Sequence, residues 1–158
     1  MIPKFILGVD PGFTGAIALL SLETGVLNIV DMPVVTGTKG RTEIDLPGLL
    51  TLTRPTVPGV LAVLEFVAAR PGQGAPATFR FGQGYGALQM AMAAHKIPVQ
   101  YVTPAKWKKH FGLSKDKGAS RGLANQRFPH NAEEFRRVKD DGRAEAALIA
   151  LYGKEVLL

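Results

Sequence analysis

The sequence contains no cysteine, a single tryptophan and only three histidines. Without cysteine there is no disulfide scaffold, no thiolate nucleophile and no cysteine-ligated zinc. His95, His110 and His130 stand in no metal-ligand spacing, so they read as surface or packing residues rather than zinc ligands. No apolar run reaches the roughly 18–20 residues that a membrane helix needs. The opening Met-Ile-Pro-Lys-Phe lacks the charged and apolar regions of a signal peptide. A soluble chain in the cytoplasm, with no membrane partner, is the expectation. There is also no internal repeat and no linker, so residues 1–158 are expected to form a single domain large enough for a real core.

Net charge is lacking from one half of the chain and concentrated in the other. Residues 1–95 carry six basic and six acidic side chains, so the whole net charge of +6 lies beyond them. The basic residues there include Lys106, Lys108, Lys109, Lys115, Lys117 and Arg121. A neutral half joined to a basic half points to a polyanionic partner, nucleic acid before anionic membrane. A solvated basic surface is the plain alternative.

Apolar runs at Lys4–Val9, Gly15–Ser21 and Val26–Met32, punctuated by Asp10-Pro11-Gly12 and Glu23-Thr24-Gly25, predict an antiparallel meander. Asp45 is a candidate N-cap for a short helix through Leu52, and Val60–Glu65 is the next strand. The glycine- and proline-rich stretch 70–86 reads as a loop, followed by a helix over about Tyr85–His95. Val99–Val102 predicts a strand, and Thr103-Pro104 caps a helix carrying Trp107. Helices are expected over Ser114–Phe128 and Asp140–Tyr152, the last stopped by Gly153. This order makes a single α/β domain with a mixed sheet.

Two acids end apolar strands: Asp10 follows Phe5–Val9, and Glu65 follows Val60–Leu64. A carboxylate continuing a buried strand is costly unless paired, hydrogen-bonded or metal-bound. Asp141 and Glu145, four apart, would share one face of the last helix's first turn, where helix-dipole complementarity is the simpler role. All-oxygen ligand sets favour Mg2+, with Mn2+ as a substitute, over zinc. Acids converging beside a basic surface suit two-metal-ion phosphodiester hydrolysis, one ion generating hydroxide and the other stabilising the departing 3′-oxygen.

Five segments in order carry a resemblance that spans nearly the whole chain. They are Gly8-Val9-Asp10-Pro11-Gly12 with Gly15, the strand-ending Glu65, Pro71–Gly74 followed by Phe79-x-Phe81-Gly82-x-Gly84-x-Gly86, Thr103-Pro104-x-Lys106-Trp107-Lys108, and Asp141–Ala146. Together they resemble the RuvC-type Holliday junction resolvases, most nearly the branch found in bacteriophages and related bacterial genomes. The resemblance implies a ribonuclease-H-like fold, with a five-stranded mixed sheet in the order 3-2-1-4-5 flanked by helices. It also implies a homodimer that makes paired, Mg2+-dependent nicks in four-way DNA junctions in a bacterial or phage-infected cytoplasm.

Carried over by motif, Asp10, Glu65, Asp141 and Glu145 are the metal-binding acids, with Asp140 a lesser candidate. Bacterial resolvases space the two acids of the last helix three apart, whereas here they are four apart. Lys108 and Lys117 match DNA-contacting lysines of the family, and Lys106, Lys109, Lys115 and Arg121 extend the same basic surface. No aromatic follows Glu65 at the offset where the family carries a junction wedge. Phe79 and Phe81 are the candidates, either as wedge or as loop anchors, and with Arg80 between them they are expected to contact DNA. Trp107 is expected in the core rather than stacked on DNA. The stretch Leu88–Ala94, with Met90 and Met92, is a candidate dimer face or a core helix.

Three other functions compete. One is a looser branched-DNA nuclease acting on forks and flaps, and another is a catalytically inactive DNA-binding module. The third starts from Asp10–Gly15, which also resembles the phosphate-binding hairpin of the actin and sugar-kinase superfamily. Those enzymes need two such domains, for which this chain is too short.

Overall fold

The computed structural model describes residues 2–116 and 118–158. Three strands open the chain: β1 (Phe5–Asp10), β2 (Ala16–Ser21) and β3 (Leu27–Asp31). They form the expected antiparallel meander, with Phe5 opposite Ser21 and Ala16 opposite Asp31. A two-stranded hairpin, β4 (Val34–Thr36) and β5 (Thr42–Ile44), follows as a separate small sheet that adds to the expected elements. Helix α1 (Leu46–Leu52) then starts at Asp45, whose carboxylate accepts from the Gly48 N–H at 3.1 Å as an N-cap should.

Strand β6 (Val60–Glu65) pairs parallel with β1, and β7 (Val99–Val102) pairs parallel with β6. The main sheet therefore has five strands in the order β3-β2-β1-β6-β7. This is the expected 3-2-1-4-5 order, with the small hairpin inserted before its fourth strand.

Between β6 and β7 runs α2 (Ala75–Ala94), and this corrects the loop expected over 70–86. The helix takes Pro76 into its first turn, where a proline costs no hydrogen bond, and continues through Gly82, Gly84 and Gly86. Gly84 is used for close packing: a Cβ there would lie 2.9 Å from Ile44 Cγ1. Leu88, Ala91 and Met92 bury the helix on the sheet, and this tertiary contact outweighs the weak propensity of glycine.

Two further corrections concern the C-terminal helices. The helix expected over 114–128 is shorter, α4 at Ala119–Arg127, after α3 (Pro104–His110). The last helix, α5, runs Asp141–Val156, so Gly153 does not stop it. Gly153 lies instead where a side chain would strike Val63 Cγ2 at 2.8 Å and Ile6 Cγ2 at 2.9 Å. Glycine is there to let the helix approach the sheet.

The sheet separates two apolar layers. On one face Ile6, Val63 and Val102 pack with Ala146, Ile149 and Ala150 of α5 and with Trp107. On the other, Leu7, Val9, Ala62 and Leu64 pack with α1 and α2. The closest approach lies at Gly8, where a Cβ would collide with the backbone of Ala146 and Ala150. The small side chains of α5 therefore set its height above β1. Among the described residues, no helix is long and apolar enough to cross a membrane.

Candidate functional site

Strand parity places two of the acids. Side chains alternate across a sheet, so Asp10 projects to the same face as Ile6 and Gly8, and Glu65 to that of Leu61 and Val63. This is the α5 face. Because β1 and β6 are parallel and Val9 stands opposite Leu64, both acids emerge at one edge of the sheet. Glu145, in the first turns of α5, comes over that edge. Asp10, Glu65 and Glu145 line one cleft of about 310 Å³ with Gly12, Val67, Arg70, Gln73 and Phe81.

The cleft is electrostatically strained. The Asp10 carboxyl is pushed up to about 7, first by burial and then by the charges of Glu65 and Glu145, against the Gly12 backbone N–H and Lys108. Burial also raises Glu65, as does the charge of Glu145, while a hydrogen bond from Trp107 pulls the other way. That bond runs from the buried indole Nε1 to Glu65 Oε1 at 2.9 Å. Trp107 is thus in the core, as expected, but its polar edge meets the site.

Protein cations hold the two acids of the last helix. Lys108 Nζ lies 2.9 Å from Glu145 Oε1 and 5.1 Å from the centroid of the Trp107 ring. Arg121 Nε donates to Asp141 Oδ1 at 2.7 Å. Asp141 and Glu145 do share a face, since both line a groove of about 820 Å³ with Lys108, Lys109 and Lys115. Asp141, however, is absent from the lining of the Asp10 cleft. Three residues before Glu145 stands Gly142, where a side chain would run into the backbone of Thr14 and Gly15.

Asp140 is fully buried and engaged elsewhere. Arg137 donates to it from its backbone N–H at 2.8 Å and from its guanidinium at 2.9 Å, holding the carboxyl below its usual range. Arg143, 3.9 Å from Asp140, forms a two-pronged bond to Asp31 at 2.6 and 2.7 Å. This network ties the end of β3 to the start of α5 and lies apart from the cleft lining.

Lys106, Lys109 and Lys115 are exposed on α3 and the segment after it. Lys117 lies outside the described residues. The aromatic candidates diverge, being on α2 and not on a loop. Phe79 is 68% exposed and outside the cleft lining, while Phe81 lines the cleft and stacks on Tyr85 with centroids 6.4 Å apart. Arg80 faces a different groove, which it lines with Glu43, Ile44 and Met90. Of the candidate dimer face, Leu88 and Met92 are buried in the core, whereas Met90 is 66% exposed. Arg70 and the Trp107–Glu65 bond are not evident from the sequence; Arg70 borders the Pro71–Gly74 motif and carries no pattern of its own.

A divalent cation fits the chemistry of this cleft, since three oxygen donors repel one another at a buried sheet edge. Among the described residues, the acids are not drawn into a closed cluster of three or more ligands. Glu65 and Glu145 are each held by a protein donor instead.

No protein-family model and no curated protein sequence matches the chain. Solved structures do. Thermus thermophilus RuvC in complex with a Holliday junction substrate is similar with a TM-score of 0.58 at 17% identity, over 94% of this chain and 90% of that one. A second Thermus thermophilus RuvC structure gives 0.56 at 17% identity, covering 94% and 95%. The yeast mitochondrial Holliday junction resolvase gives 0.54 at 17% identity, covering 95% and 78%. Over nearly its whole length, then, this chain has the ribonuclease-H-like fold of the RuvC-type resolvases.

Proposed function

We propose that the protein is a Holliday junction resolvase, a structure-selective endonuclease that makes paired symmetric nicks in four-way DNA. The observation that carries this reading is the convergence of Asp10, Glu65 and Glu145 at one sheet edge, with Glu145 also lining the lysine-bearing groove. Hydrolytic acids and a phosphate-binding surface thus adjoin through one residue. The fold supports the reading, since the similar structures include a RuvC bound to a Holliday junction.

Asp10, Glu65 and Glu145 would hold Mg2+, and Asp141 would join them on leaving Arg121. When bound, such ions generate hydroxide at neutral pH and stabilise the departing oxygen. The chain's own residues do the rest. Lys106, Lys109 and Lys115 take DNA phosphates, which positions the duplex without reading its sequence. Lys108 and Arg121 neutralise Glu145 and Asp141 before substrate arrives. Phe81 borders the cleft and is better placed than Phe79 to meet a base at the crossover. Symmetric nicking needs two cleavage sites related by a two-fold axis, hence a homodimer.

A synthetic four-way junction tests this, assayed with Mg2+ beside linear duplex, forks and flaps of the same sequence. Paired nicks confined to the junction, lost in Asp10→Asn with binding preserved, are expected. Equal cutting of forks and flaps would replace the reading with a looser branched-DNA nuclease. Binding without cutting under any divalent ion would leave only a DNA-binding module.

A further inference from the structure

The chain's single tryptophan lies fully buried and spends its only polar atom on a cleft carboxylate. We propose that Trp107 is a positioning residue for Glu65, its indole N–H holding Oε1 so that Oε2 is presented to the cleft. The inference rests on the nuclease reading above.

Among the described residues, this is the one side-chain hydrogen bond made to the Glu65 carboxylate, and both partners are buried. A glutamate has three side-chain torsions, and a strand backbone restricts the first but leaves more than one rotamer open. The indole selects one. Its own position is set in turn by the turn that carries it. Val102 of β7 stands opposite Glu65, and the next residue, Thr103, caps α3 by accepting from the Lys106 N–H at 3.3 Å. Pro104 then begins the helix, and Trp107 follows one turn later. On the other side of Glu65, its backbone carbonyl accepts from the Tyr85 hydroxyl at 3.3 Å. The neighbouring Lys108 holds Glu145, so a single turn of α3 touches the acids of both β6 and α5.

The rival account is that a buried indole N–H needs some acceptor and Glu65 merely supplies it. The two accounts differ in what happens to metal affinity. Mn2+ binding to the DNA-free protein is measured by the electron paramagnetic resonance of the free ion, for wild type and Trp107→Phe, beside thermal melts of both. Positioning predicts Mn2+ affinity about tenfold weaker in Trp107→Phe, the order expected for losing one hydrogen bond to a charged group. The Mg2+ concentration for half-maximal nicking should rise by a similar factor, with the junction KM unchanged. Unchanged Mn2+ affinity in a folded Trp107→Phe overturns the proposal, as does a wild type that binds no Mn2+.

If Trp107→Phe fails to fold, the wild-type chain decides, because its tryptophan emission, excited to the red of tyrosine absorption, comes from this one indole. Mg2+ should change the emission of wild type but not of Glu65→Gln, and an unresponsive wild type that nonetheless binds Mn2+ overturns the proposal. Weakened Mn2+ binding in Trp107→Phe without junction cutting by wild type would retain the positioning role and remove the resolvase. Junction cutting with unaltered Mn2+ affinity would do the reverse.

Discussion

The crowded acids make a prediction about stability that needs no substrate. With Asp10 raised from 3.8 to about 7, the folded chain keeps a proton across that window which the unfolded chain has released. Folding therefore binds a proton between about pH 4 and 7, so the metal-free protein loses stability as pH rises through this window. The raised Glu65 acts in the same direction. At about 1.4 kcal/mol per pH unit, the Asp10 contribution reaches at most about 4 kcal/mol once the pH exceeds 7. Asp10→Asn removes that penalty while keeping size and shape. For a chain of this length each kcal/mol moves Tm by roughly 2–4 °C.

Melts followed by circular dichroism in chelator should therefore place Asp10→Asn above wild type at about pH 8, by up to roughly 8–16 °C, with the gap closing near pH 4. Mg2+ should lift wild type more at the higher pH and leave Asp10→Asn nearly unmoved, since an ion bound only to the folded state stabilises it. A gap that is independent of pH, or a less stable Asp10→Asn at pH 8, would refute the burial of Asp10 beside the charges of Glu65 and Glu145.

Other perturbations separate the site from its supports. Asp140→Ala should lower Tm by several degrees, because Arg137 and Arg143 lose their shared partner, yet leave junction nicking and Mn2+ affinity intact; a loss of Mn2+ binding would make Asp140 a ligand. Gly8→Ala should cost about 3 kcal/mol or more in urea unfolding, since its methyl meets the backbone of α5 and not a yielding side chain. Replacing Lys106, Lys109 and Lys115 together by alanine should weaken junction binding and reduce the salt slope of the binding constant by roughly 0.9 for each phosphate that is no longer neutralised. An unchanged slope would place the DNA on another face.

What the sequence discloses depends on how local each determinant is. Asp10 and Glu65 stand out because an acid ending an apolar strand is locally anomalous, and strand parity then carries both to one face. The meander, the Asp45 cap and the Thr103-Pro104 start of α3 are likewise local signals. The first half of α2 is hidden because glycine reports conformational freedom, whereas Gly84 is present for contact with Ile44 of another element. Gly153 misleads for the same reason, resembling a stop when its role is proximity to Ile6 and Val63. Asp141 and Arg121 are each legible as charged and near the surface, but their mutual bond depends on how α4 lies beside α5. The donor to Glu65 sits forty-two residues away, with no periodicity to connect the two.

The contact at Gly8 also bears on how this protein can change. Asp10 lies two residues further along β1 from Gly8, and Glu145 immediately precedes the Ala146 carbonyl that covers Gly8. The distance between sheet and helix is therefore also the gauge that spaces two of the cleft's acids. A core substitution that thickens this layer would alter the gauge even if the chain still folded. A smaller neighbour would not compensate, because the two nearest opposing atoms are main chain and the third is only the Cβ of Ala150. Variation for stability and variation for activity are thus locked together at this point of the fold, while Gly82 and Gly86 on the open side of α2 leave them free to diverge.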